Sequence, residues 1–364
     1  MSRLTWSVFP YRHDLARPIT TAHGTCRERA GLVICVTDSD GFQGLGDAAP
    51  LVGFSPESLE DVQSAWNGMQ DLCGELDVPE SAGALCDCLA ELSPMLASRP
   101  SLRFAIESAL SDLAARRAGI PLARWLSATA RDSVEINALV DASTGHEWLD
   151  RCSARWDEGY RTFKVKAGIG SVAQDIERIG RLRARWPEAA IRVDVNGGWT
   201  PAQFREAATP LARLGVEFIE QPLRVGLAQD AHAIAVTFGI RLALDEELAA
   251  VDEVERVLQD RLCDAIVVKP MVLGALDGAL RLGRLAKAAG VDVVVTSLWE
   301  SDIGIAAACH LACALESETA CGFSTAGVIS EGIVKSGLRI EAGRLHLRRA
   351  AGLGLELDVS RSDQ

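Results

Sequence analysis

Five apolar segments in the middle of the chain each end in a charged residue, and these residues recur at nearly constant intervals. Lys166, Asp194, Glu220, Asp245 and Lys269 are separated by 28, 26, 25 and 24 residues. Each interval is long enough for one strand, one helix and their connections. In a parallel β/α barrel the C-terminal ends of all strands meet at one mouth, where active sites lie. The spacing therefore predicts such a barrel with a charged site at its mouth.

The predicted barrel is of the TIM type, with seven or eight β/α units between residues 121 and 328. The helix Leu102–Arg117 is expected to precede it, with an apolar stripe on one face. The runs that we interpret as strands are Val134–Val140, Thr162–Lys166, Ile191–Asp194, Val216–Glu220, Arg241–Asp245, Asp264–Lys269, Val291–Ser297 and, most weakly, Thr319–Phe323. Ser171 and Thr200 start capping boxes that open two of the intervening helices.

Residues 1–120 lack this rhythm and predict a separate α+β capping domain. Its expected strands are antiparallel, and Ser55 is expected to cap a following helix. Two long loops, 18–25 and 49–54, either bind or cover something or are solvated connections. Within the C-terminal segment 329–364, the run Ile340–Leu357 reads as short strands, and we expect this segment to return to the capping domain. A chain of 364 residues is long enough for a barrel and a smaller domain.

Charge and composition restrict the classes of partner. The chain carries 37 Lys and Arg against 50 Asp and Glu, a net charge of −13, which argues against nucleic acid or an anionic membrane. No apolar run has membrane-spanning length and no signal peptide is recognisable, so we expect a cytoplasmic protein. Ten cysteines without a CxxC pair indicate buried thiols rather than a metal cluster. The sequence does not show whether the chain forms a homo-oligomer.

The three carboxylates at consecutive strand ends predict a metal site. Asp194, Glu220 and Asp245 supply only oxygen ligands, which suit a hard cation, and Mg²⁺ is the expected cofactor. Any one of them alone is better explained as a helix cap or as the partner of a lysine. Three in register, flanked by lysines, favour the metal.

The lysines predict proton transfer at the same mouth. On a strand, Lys164 and Lys166 project from one face. Lysine is mostly protonated at neutral pH and is then a poor base, but Lys164 and a divalent cation would both disfavour the charged form of Lys166. Removing a proton α to a carboxylate creates a dianionic enediolate, which the cation and Lys269 would stabilise. Asn196 and Glu246 are expected to orient the ligands.

These motifs together resemble the enolase superfamily, in its muconate-lactonizing-enzyme-like branch. The residues that carry the resemblance are Lys164-Val165-Lys166, Asp194-Val195-Asn196, Glu220-Gln221-Pro222-Leu223, Leu244-Asp245-Glu246 and Val268-Lys269-Pro270. The resemblance spans nearly the whole chain and implies that Lys166 is the base, that Lys269 lies opposite, and that the three carboxylates bind Mg²⁺. A sugar-acid dehydratase of the superfamily is disfavoured, because no histidine occurs in 296–300.

Within the branch, the loops of the capping domain are similar to those of the o-succinylbenzoate synthases. The resemblance carried by 21–32 and 46–57 implies a Mg-dependent lyase of menaquinone biosynthesis. Such an enzyme dehydrates the small carboxylate 2-succinyl-6-hydroxy-2,4-cyclohexadiene-1-carboxylate to 2-succinylbenzoate. By similarity, the substrate contacts are Thr21, His23, Phe54, Ser297, Glu300, Ser301 and Gly322. The bulky Trp299 and the acidic Asp302 depart from this expectation.

Two alternatives stay open. An N-succinylamino acid racemase or dipeptide epimerase needs the same two lysines, and a dipeptide epimerase also needs an acidic group for the free α-ammonium. Asp302 is the only candidate for that group in the sequence. A non-catalytic binding protein with this fold is the second alternative. It is disfavoured because buried lysines destabilise a site that has no use for them.

Overall fold

The computed structural model describes residues 3–21, 24–141, 147–329 and 333–358. The N-terminal part contains an antiparallel sheet in the order β1-β2-β3, in which β1 pairs with β2 from Thr5 opposite Thr37. The strands are β1 Thr5–Thr21, β2 Gly24–Thr37 and β3 Gln43–Ala48. The helices are α1 Leu59–Cys73, α2 Leu85–Cys88, α3 Ser93–Leu96, α4 Pro100–Arg117 and α5 Leu122–Leu126, and a 3₁₀ turn at Ala82–Ala84 leads into α2.

The first helix begins later than expected from the sequence. Ser58, not Ser55, is the N-cap, and it forms a capping box with Asp61. The hydroxyl of Ser55 instead accepts the backbone N–H of Leu51 at 3.0 Å. Two Ser residues three apart both satisfy the sequence rule for a cap, and the turn at 51–55 uses the first of them.

Helix α4 is buried on nearly all sides, which corrects the expected single apolar stripe. Even its polar residues Glu107, Ser108 and Asp112 are fully buried, because the helix packs against β3, α5 and the barrel. Gly44 and Gly46 allow this approach, since a Cβ on either would lie about 2 Å from a backbone carbonyl oxygen of the helix. A helix surrounded by protein needs polar groups only where a backbone donor meets it.

The barrel contains seven parallel strands in the order β5 to β11, which confirms the predicted fold class. Its strands are β5 Ala138–Val140, β6 Thr162–Lys166, β7 Ala190–Asp194, β8 Phe218–Glu220, β9 Leu242–Leu244, β10 Ala265–Val268 and β11 Asp292–Val295. Its helices are α6 Glu147–Asp157, α7 Val172–Arg185, α8 Pro201–Arg213, α9 Ala228–Phe238, α10 Val251–Gln259, α11 Pro270–Leu273, α12 Leu276–Ala288 and α13 Asp302–Ala314.

The first and eighth predicted strands are shorter than expected. The run Val134–Val140 divides into β4 (Ser133–Glu135), which pairs outside the barrel, and β5. The weak eighth strand is reduced to Cys321 and Gly322, which bridge to Ile136 and Thr296 and so connect the two edges of the sheet. A Cβ at Gly322 would lie 2.1 Å from Thr296 Oγ1, so the close approach at this bridge requires glycine.

The C-terminal segment contacts both parts of the molecule. Strands β12 (Arg339–Glu341) and β13 (Arg344–His346) form a small sheet with β4. Further along, the backbone N–H of Leu353 donates to Asp112 on α4 at 2.6 Å, and Arg116 donates to the carbonyl of Leu355 at 2.6 Å. These contacts agree in direction with the predicted return to the capping domain, whereas the boundaries at 120 and 328 stay predictions.

Two further observations concern expectations from composition. Among the described residues, no helix is long and apolar enough to cross a membrane. All ten cysteines are free thiols, most of them buried and one, Cys86, exposed. Their burial agrees with the role of small apolar side chains.

Candidate active site at the barrel mouth

A cavity of about 670 Å³ opens at the C-terminal ends of the barrel strands. Lys166 lies opposite Asp194 and Asp194 lies opposite Glu220 in the strand register, so three strand-end residues form one row. Asp245 and Lys269 follow β9 and β10 and line the same cavity. The structure thus brings together the charged residues that the spacing of the sequence singled out.

The two lysines of β6 reach different depths of this row. The Lys164 ammonium donates to Glu220 Oε1 at 2.7 Å and lies 2.9 Å from Asp194 Oδ2. The Lys166 ammonium donates to the same Asp194 oxygen at 2.7 Å and to Asn196 Oδ1 at 2.6 Å. The Lys166 side chain is twice as exposed as that of Lys164, 30% against 15%. Lys166 is therefore the lysine of this strand with the better access to a molecule in the cavity.

Asn196 and Glu246 form a chain of contacts behind Lys166. Asn196 accepts from Lys166 and donates through Nδ2 to Glu246 Oε1 at 2.7 Å. The other Glu246 oxygen, Oε2, is buried and has no hydrogen-bond partner among the described residues. Such an atom is costly to leave without a partner, so this oxygen is available to a cation or a hydrogen-bond donor that enters the cavity.

Lys269 lies on the far side of the row, next to the capping domain. Its ammonium contacts Asp245 Oδ1 and lies over the ring of Phe54 at 5.1 Å from the centroid. Phe54 belongs to the loop that follows β3, so a residue of the capping domain completes the environment of a barrel lysine. This geometry is that of a cation–π contact.

The charges of the row shift one another's pKa values in opposite directions. Burial alone would lower the pKa of Lys164, but the carboxylates of Asp194 and Glu220 outweigh it and raise that pKa. Burial likewise would raise the pKa of Asp194, but Lys164 and Lys166 hold it below its ordinary value. Burial and the charge of Asp194 raise the pKa of Glu220. The site therefore favours the charged form of Asp194 and disfavours that of Glu220.

Three non-glycine residues in the loops after β7, β8 and β11, at the barrel mouth, adopt left-handed backbone conformations. Asn196, Gln221 and Trp299 have φ values of 48°, 38° and 62°, which are strained for residues other than glycine and tend to occur at functional sites. Gln221 also accepts the backbone N–H of Asp245 at 3.0 Å and so fixes the turn that carries this carboxylate. Gln221 stands in the motif Glu220-Gln221-Pro222-Leu223, but nothing in the sequence indicated this role.

The donor chemistry of the row fits a divalent cation. No three Asp, Glu, His or Cys side chains in the described ranges lie together as a preformed metal site, because the Lys164 ammonium lies between Asp194 and Glu220 and the Lys269 ammonium contacts Asp245. The three buried carboxylates, together with the orphaned Glu246 oxygen, still offer the oxygen ligands that Mg²⁺ requires. In this structure the ammonium groups of Lys164 and Lys269 contact the carboxylates that would hold the cation.

Only some of the predicted substrate contacts lie on the cavity wall. Phe54, Ser297 and Gly322 line it. Glu300 and Ser301 do not line it, which corrects that expectation: Glu300 accepts the N–H of Leu298, and Ser301 donates to Asp47 of the capping domain at 2.6 Å. His23 lies outside the described residues, as does the side chain of Thr21, whose backbone ends β1.

Asp302 does not contribute charge to the cavity, contrary to the concern that the sequence raised. It is fully buried, and its two oxygens accept the backbone N–H groups of Gly327 and Leu338 at 2.8 and 3.0 Å. Asp302 therefore fixes loops behind the site and cannot hold a substrate ammonium. Trp299, in contrast, does line the cavity.

Two polar cavity residues on either side of β5, Asn137 and Asp141, were not among those singled out from the sequence. Asn137, just before β5, is buried and its Oδ1 has no partner within the described residues. Asp141, just after β5, lies at the exposed edge and contacts Arg151 at 3.1 Å. The predicted first strand ran from 134 to 140 without a break. The sequence therefore did not indicate that these two polar residues flank a short barrel strand.

The sequence matches the family described as Enolase C-terminal domain-like over residues 147–361. The chain belongs to the enolase superfamily. Residues 4–78 also match the family described as MenC, N-terminal domain. The superfamily membership expected from the motifs is thereby confirmed, and the protein is an enzyme of this superfamily with a capping domain in front of its barrel.

Characterised relatives catalyse more than one reaction. The chain is 30% identical to the L-Lys-D/L-Arg epimerase of Methylococcus capsulatus, covering 94% of this chain and 95% of the relative. It is 27% identical to the L-Ala-D/L-Glu epimerase of Bacillus subtilis, covering 94% and 93%. It is 28% identical to a chloromuconate cycloisomerase of Cupriavidus necator, covering 96% and 94%.

Solved structures of two dipeptide epimerases agree with the fold over nearly the whole chain. The enzyme from Methylococcus capsulatus, complexed with Mg and the dipeptide L-Arg-D-Lys, matches with a TM-score of 0.88 at 29% identity, covering 98% of this chain and 99% of that one. A substrate-liganded complex of the Bacillus subtilis epimerase matches with a TM-score of 0.88 at 26% identity and the same coverage. Magnesium in the first complex agrees with the cofactor expected for this superfamily.

Proposed function

We propose that this enzyme is a Mg-dependent o-succinylbenzoate synthase. In this reaction 2-succinyl-6-hydroxy-2,4-cyclohexadiene-1-carboxylate loses water and becomes 2-succinylbenzoate. The proton-transfer chemistry is carried by the pair of lysines at the two ends of one carboxylate row, Lys166 on β6 and Lys269 after β10, both on the cavity wall. The match of residues 4–78 to the MenC N-terminal family supports the synthase within the superfamily.

Lys166 is the proposed acid–base group. In its neutral form it takes the proton from the carbon next to the substrate carboxylate. It then returns that proton to the hydroxyl on the same face of the ring, and the hydroxyl leaves as water. The ring becomes aromatic, so one proton and one hydroxide leave as one water. Its contacts with Asp194 and Asn196 are to oxygen atoms only, so they orient the amine while a substrate proton is transferred.

Lys269 is proposed to stay protonated and to stabilise the negative charge that develops on the substrate. Burial would lower the pKa of Lys269, but Asp245 and Glu246 outweigh this effect and raise it. The raised pKa supports the proposal that Lys269 stays cationic during the reaction. Asp194, Glu220 and Asp245 would hold Mg²⁺, which, when bound, supplies positive charge for the carboxylate of the substrate.

The wall around these residues supports a substrate without a free ammonium group. Asp302, the acidic candidate for binding an ammonium, is buried and occupied by backbone donors. The remaining wall near β11 combines the hydroxyls of Ser297 and Thr325, which hydrogen-bond each other at 2.6 Å, with the apolar side chains of Leu298 and Trp299. Hydroxyl donors and apolar surface suit a succinyl chain.

A racemase or epimerase is the second candidate, because one observation favours it. Asp141 lies on the cavity wall as a carboxylate outside the central row, and two similar relatives are dipeptide epimerases. Its contact with Arg151 makes it a weaker ammonium site than an acidic residue facing only the cavity. An N-succinylamino acid has no free α-ammonium and would not need such a site.

The test compares three substrate classes with the purified protein and Mg²⁺. Formation of the aromatic product is followed by absorbance with the cyclohexadiene carboxylate. N-succinylamino acids and a dipeptide panel are incubated in deuterated water, and deuterium at the α-carbon is measured by NMR. Asp141→Asn is the matched variant, since it removes the candidate ammonium contact and leaves the central row intact.

Fast aromatisation that is abolished by a chelator, and that is unchanged in Asp141→Asn, supports the synthase. Exchange of dipeptides without aromatisation, lost in Asp141→Asn, would contradict the synthase and establish the epimerase. Exchange restricted to N-succinylamino acids would establish the racemase. No reaction with any of the three classes would refute the proposed substrate.

A further inference from the structure

Arg29 of the capping domain lies behind the cavity and contacts both of its side walls. It projects from β2, is only 3% exposed, and all four of its described hydrogen bonds go to backbone carbonyls. Two belong to the capping loop, Ala49 at 2.6 Å and Pro50 at 2.9 Å. Two belong to the loop after β11, Trp299 at 2.9 Å and Leu298 at 3.4 Å.

Both loops that Arg29 contacts supply cavity residues. The capping loop continues from Pro50 to Leu51 and Phe54, which line the cavity, and Phe54 lies against Lys269. On the barrel side, Leu298 and Trp299 themselves line it. One guanidinium therefore fixes the spacing between an apolar wall from each domain.

The backbone of Trp299 adds a reason why the contact matters. Its φ of 62° is left-handed, which is strained for a bulky residue and persists only where the surroundings enforce it. The bond from Arg29 Nε to the Trp299 carbonyl holds this conformation and hence the direction of the indole. A planar guanidinium can serve two loops at once, whereas a lysine ammonium cannot match that geometry.

We infer that Arg29 is a positioning residue that sets substrate selectivity by fixing the Leu51–Phe54 wall against the Leu298–Trp299 wall. It acts on the part of the substrate that does not react, without touching the reacting atoms. The inference rests on the proposed site at the barrel mouth but not on which acid is the substrate. It assigns the selectivity of a barrel site to an arginine on the sheet of the other domain.

Arg183 offers a matched control elsewhere in the barrel. It also donates to four backbone carbonyls, those of Leu214, Pro187, Ala189 and Gly215, at 2.7 to 2.9 Å. These groups precede β7 and β8, at the opposite end of the barrel from the cavity. Arg183→Met therefore removes the same chemistry from a place where no substrate binds.

The experiment compares Arg29→Met, Arg29→Lys and Arg183→Met in the full-length protein with Mg²⁺. Hydrogen–deuterium exchange is measured without substrate for peptides covering 49–54 and 296–301. In Arg29→Met we expect exchange in both peptides to accelerate at least about tenfold, with Arg29→Lys intermediate and Arg183→Met unchanged there. If Arg29→Met does not fold, Arg29→Lys carries the test.

Steady-state kinetics on the active substrate class give the second readout. The inference predicts that KM rises at least about tenfold in Arg29→Met while kcat changes less than about threefold, and that Arg183→Met leaves both unchanged. Exchange and KM of Arg29→Met equal to those of Arg183→Met would overturn it. A fall in kcat alone would overturn it as well. Because the exchange readout needs no substrate, failure of the proposed reaction leaves this test intact.

Discussion

Two pairs of buried acidic residues in this protein differ in their partners rather than in their burial. Asp112 and Glu107 on α4 are fully buried, as are Asp194 and Glu220 at the barrel mouth. Burial raises the pKa of Asp112 and of Glu107, and it also raises that of Glu220. Neither exposure nor the direction of a pKa shift therefore separates structural acids from functional ones.

The partners do separate them. Asp112 accepts the backbone N–H groups of Leu45 and Leu353 at 2.9 and 2.6 Å, and Glu107 accepts that of Leu276 at 2.7 Å. Such donors are fixed by the fold, and the guanidinium groups of Arg116 and Arg103 complete these two sites. Glu220 instead has the Lys164 ammonium as its partner, and Asp194 contacts the ammonium groups of Lys164 and Lys166 in addition to one backbone N–H, that of Asn196. Lysine partners can be displaced by a metal or a substrate, so a buried acid held by lysines is available for chemistry.

The largest expected contrast concerns activity at the mouth. In Glu220→Gln we expect turnover to fall at least about 10³-fold, equivalent to about 4 kcal/mol of transition-state stabilisation, because a proposed metal ligand loses its charge. The stability of the metal-free protein should not fall, because the raised pKa shows that the fold disfavours the charged form of Glu220. Turnover and urea unfolding in the presence of a chelator measure the two effects. If Glu220→Gln lost stability but kept its activity, Glu220 would behave as a structural acid, and the contrast with α4 would be wrong.

The converse is expected on α4. Asp112→Ala should lower the free energy of unfolding by about 3 kcal/mol, because two backbone donors and Arg116 lose a buried acceptor. The kcat of the folded fraction should be unchanged. Chemical denaturation followed by circular dichroism measures the first, with the exposed Asp150→Ala as control. Equal unfolding curves for the two variants would show that Asp112 is not a structural acid.

Glu300 tests an intermediate case, since its carboxyl accepts backbone N–H groups only from its own loop, those of Leu298 and of Glu300 itself. Burial raises its pKa from 4.5 to about 7, so the folded state binds its proton more tightly than the unfolded state. The stability that the protonated form contributes is complete below pH 4.5 and is lost as the pH rises to about 7. Wild type should lose up to about 3 kcal/mol across this window relative to Glu300→Gln. Parallel stability profiles of the two proteins from pH 4.5 to 8 would contradict this sign.

The central row was predictable because each of its members ends an apolar run at a regular interval. Asp194 and Glu220 could be placed side by side from strand spacing alone, and Lys164 and Lys166 on one face from the alternation of a strand. The barrel class followed from the same rhythm. These features depend only on local periodicity, which the sequence records directly.

Features that depend on contacts between distant segments could not be predicted. Glu300, Ser301 and Asp302 follow a cavity strand but are turned away from the cavity. Ser301 donates to the Asp47 carboxylate, and Asp302 accepts the backbone N–H of Leu338, both far away in the sequence, while Glu300 accepts the N–H of Leu298. Nothing in the pattern of α4 reveals that Gly44 and Gly46 allow a sheet to cover its polar side. The break between β4 and β5 likewise depends on pairing with β13, more than 200 residues away.

The most direct test of the account measures solvent deuterium at the α-carbon for wild type, Lys166→Ala and Lys269→Ala, with Mg²⁺ and the active substrate class. If Lys166 removes the α-proton, as proposed, Lys166→Ala abolishes both α-proton exchange and turnover. Circular dichroism of this variant should show an intact fold. For a synthase, Lys269→Ala slows turnover, but Lys269 is not the base that exchanges the α-proton. Exchange and turnover that persist in Lys166→Ala would contradict the assignment of the barrel mouth as a lysine-based proton-transfer site.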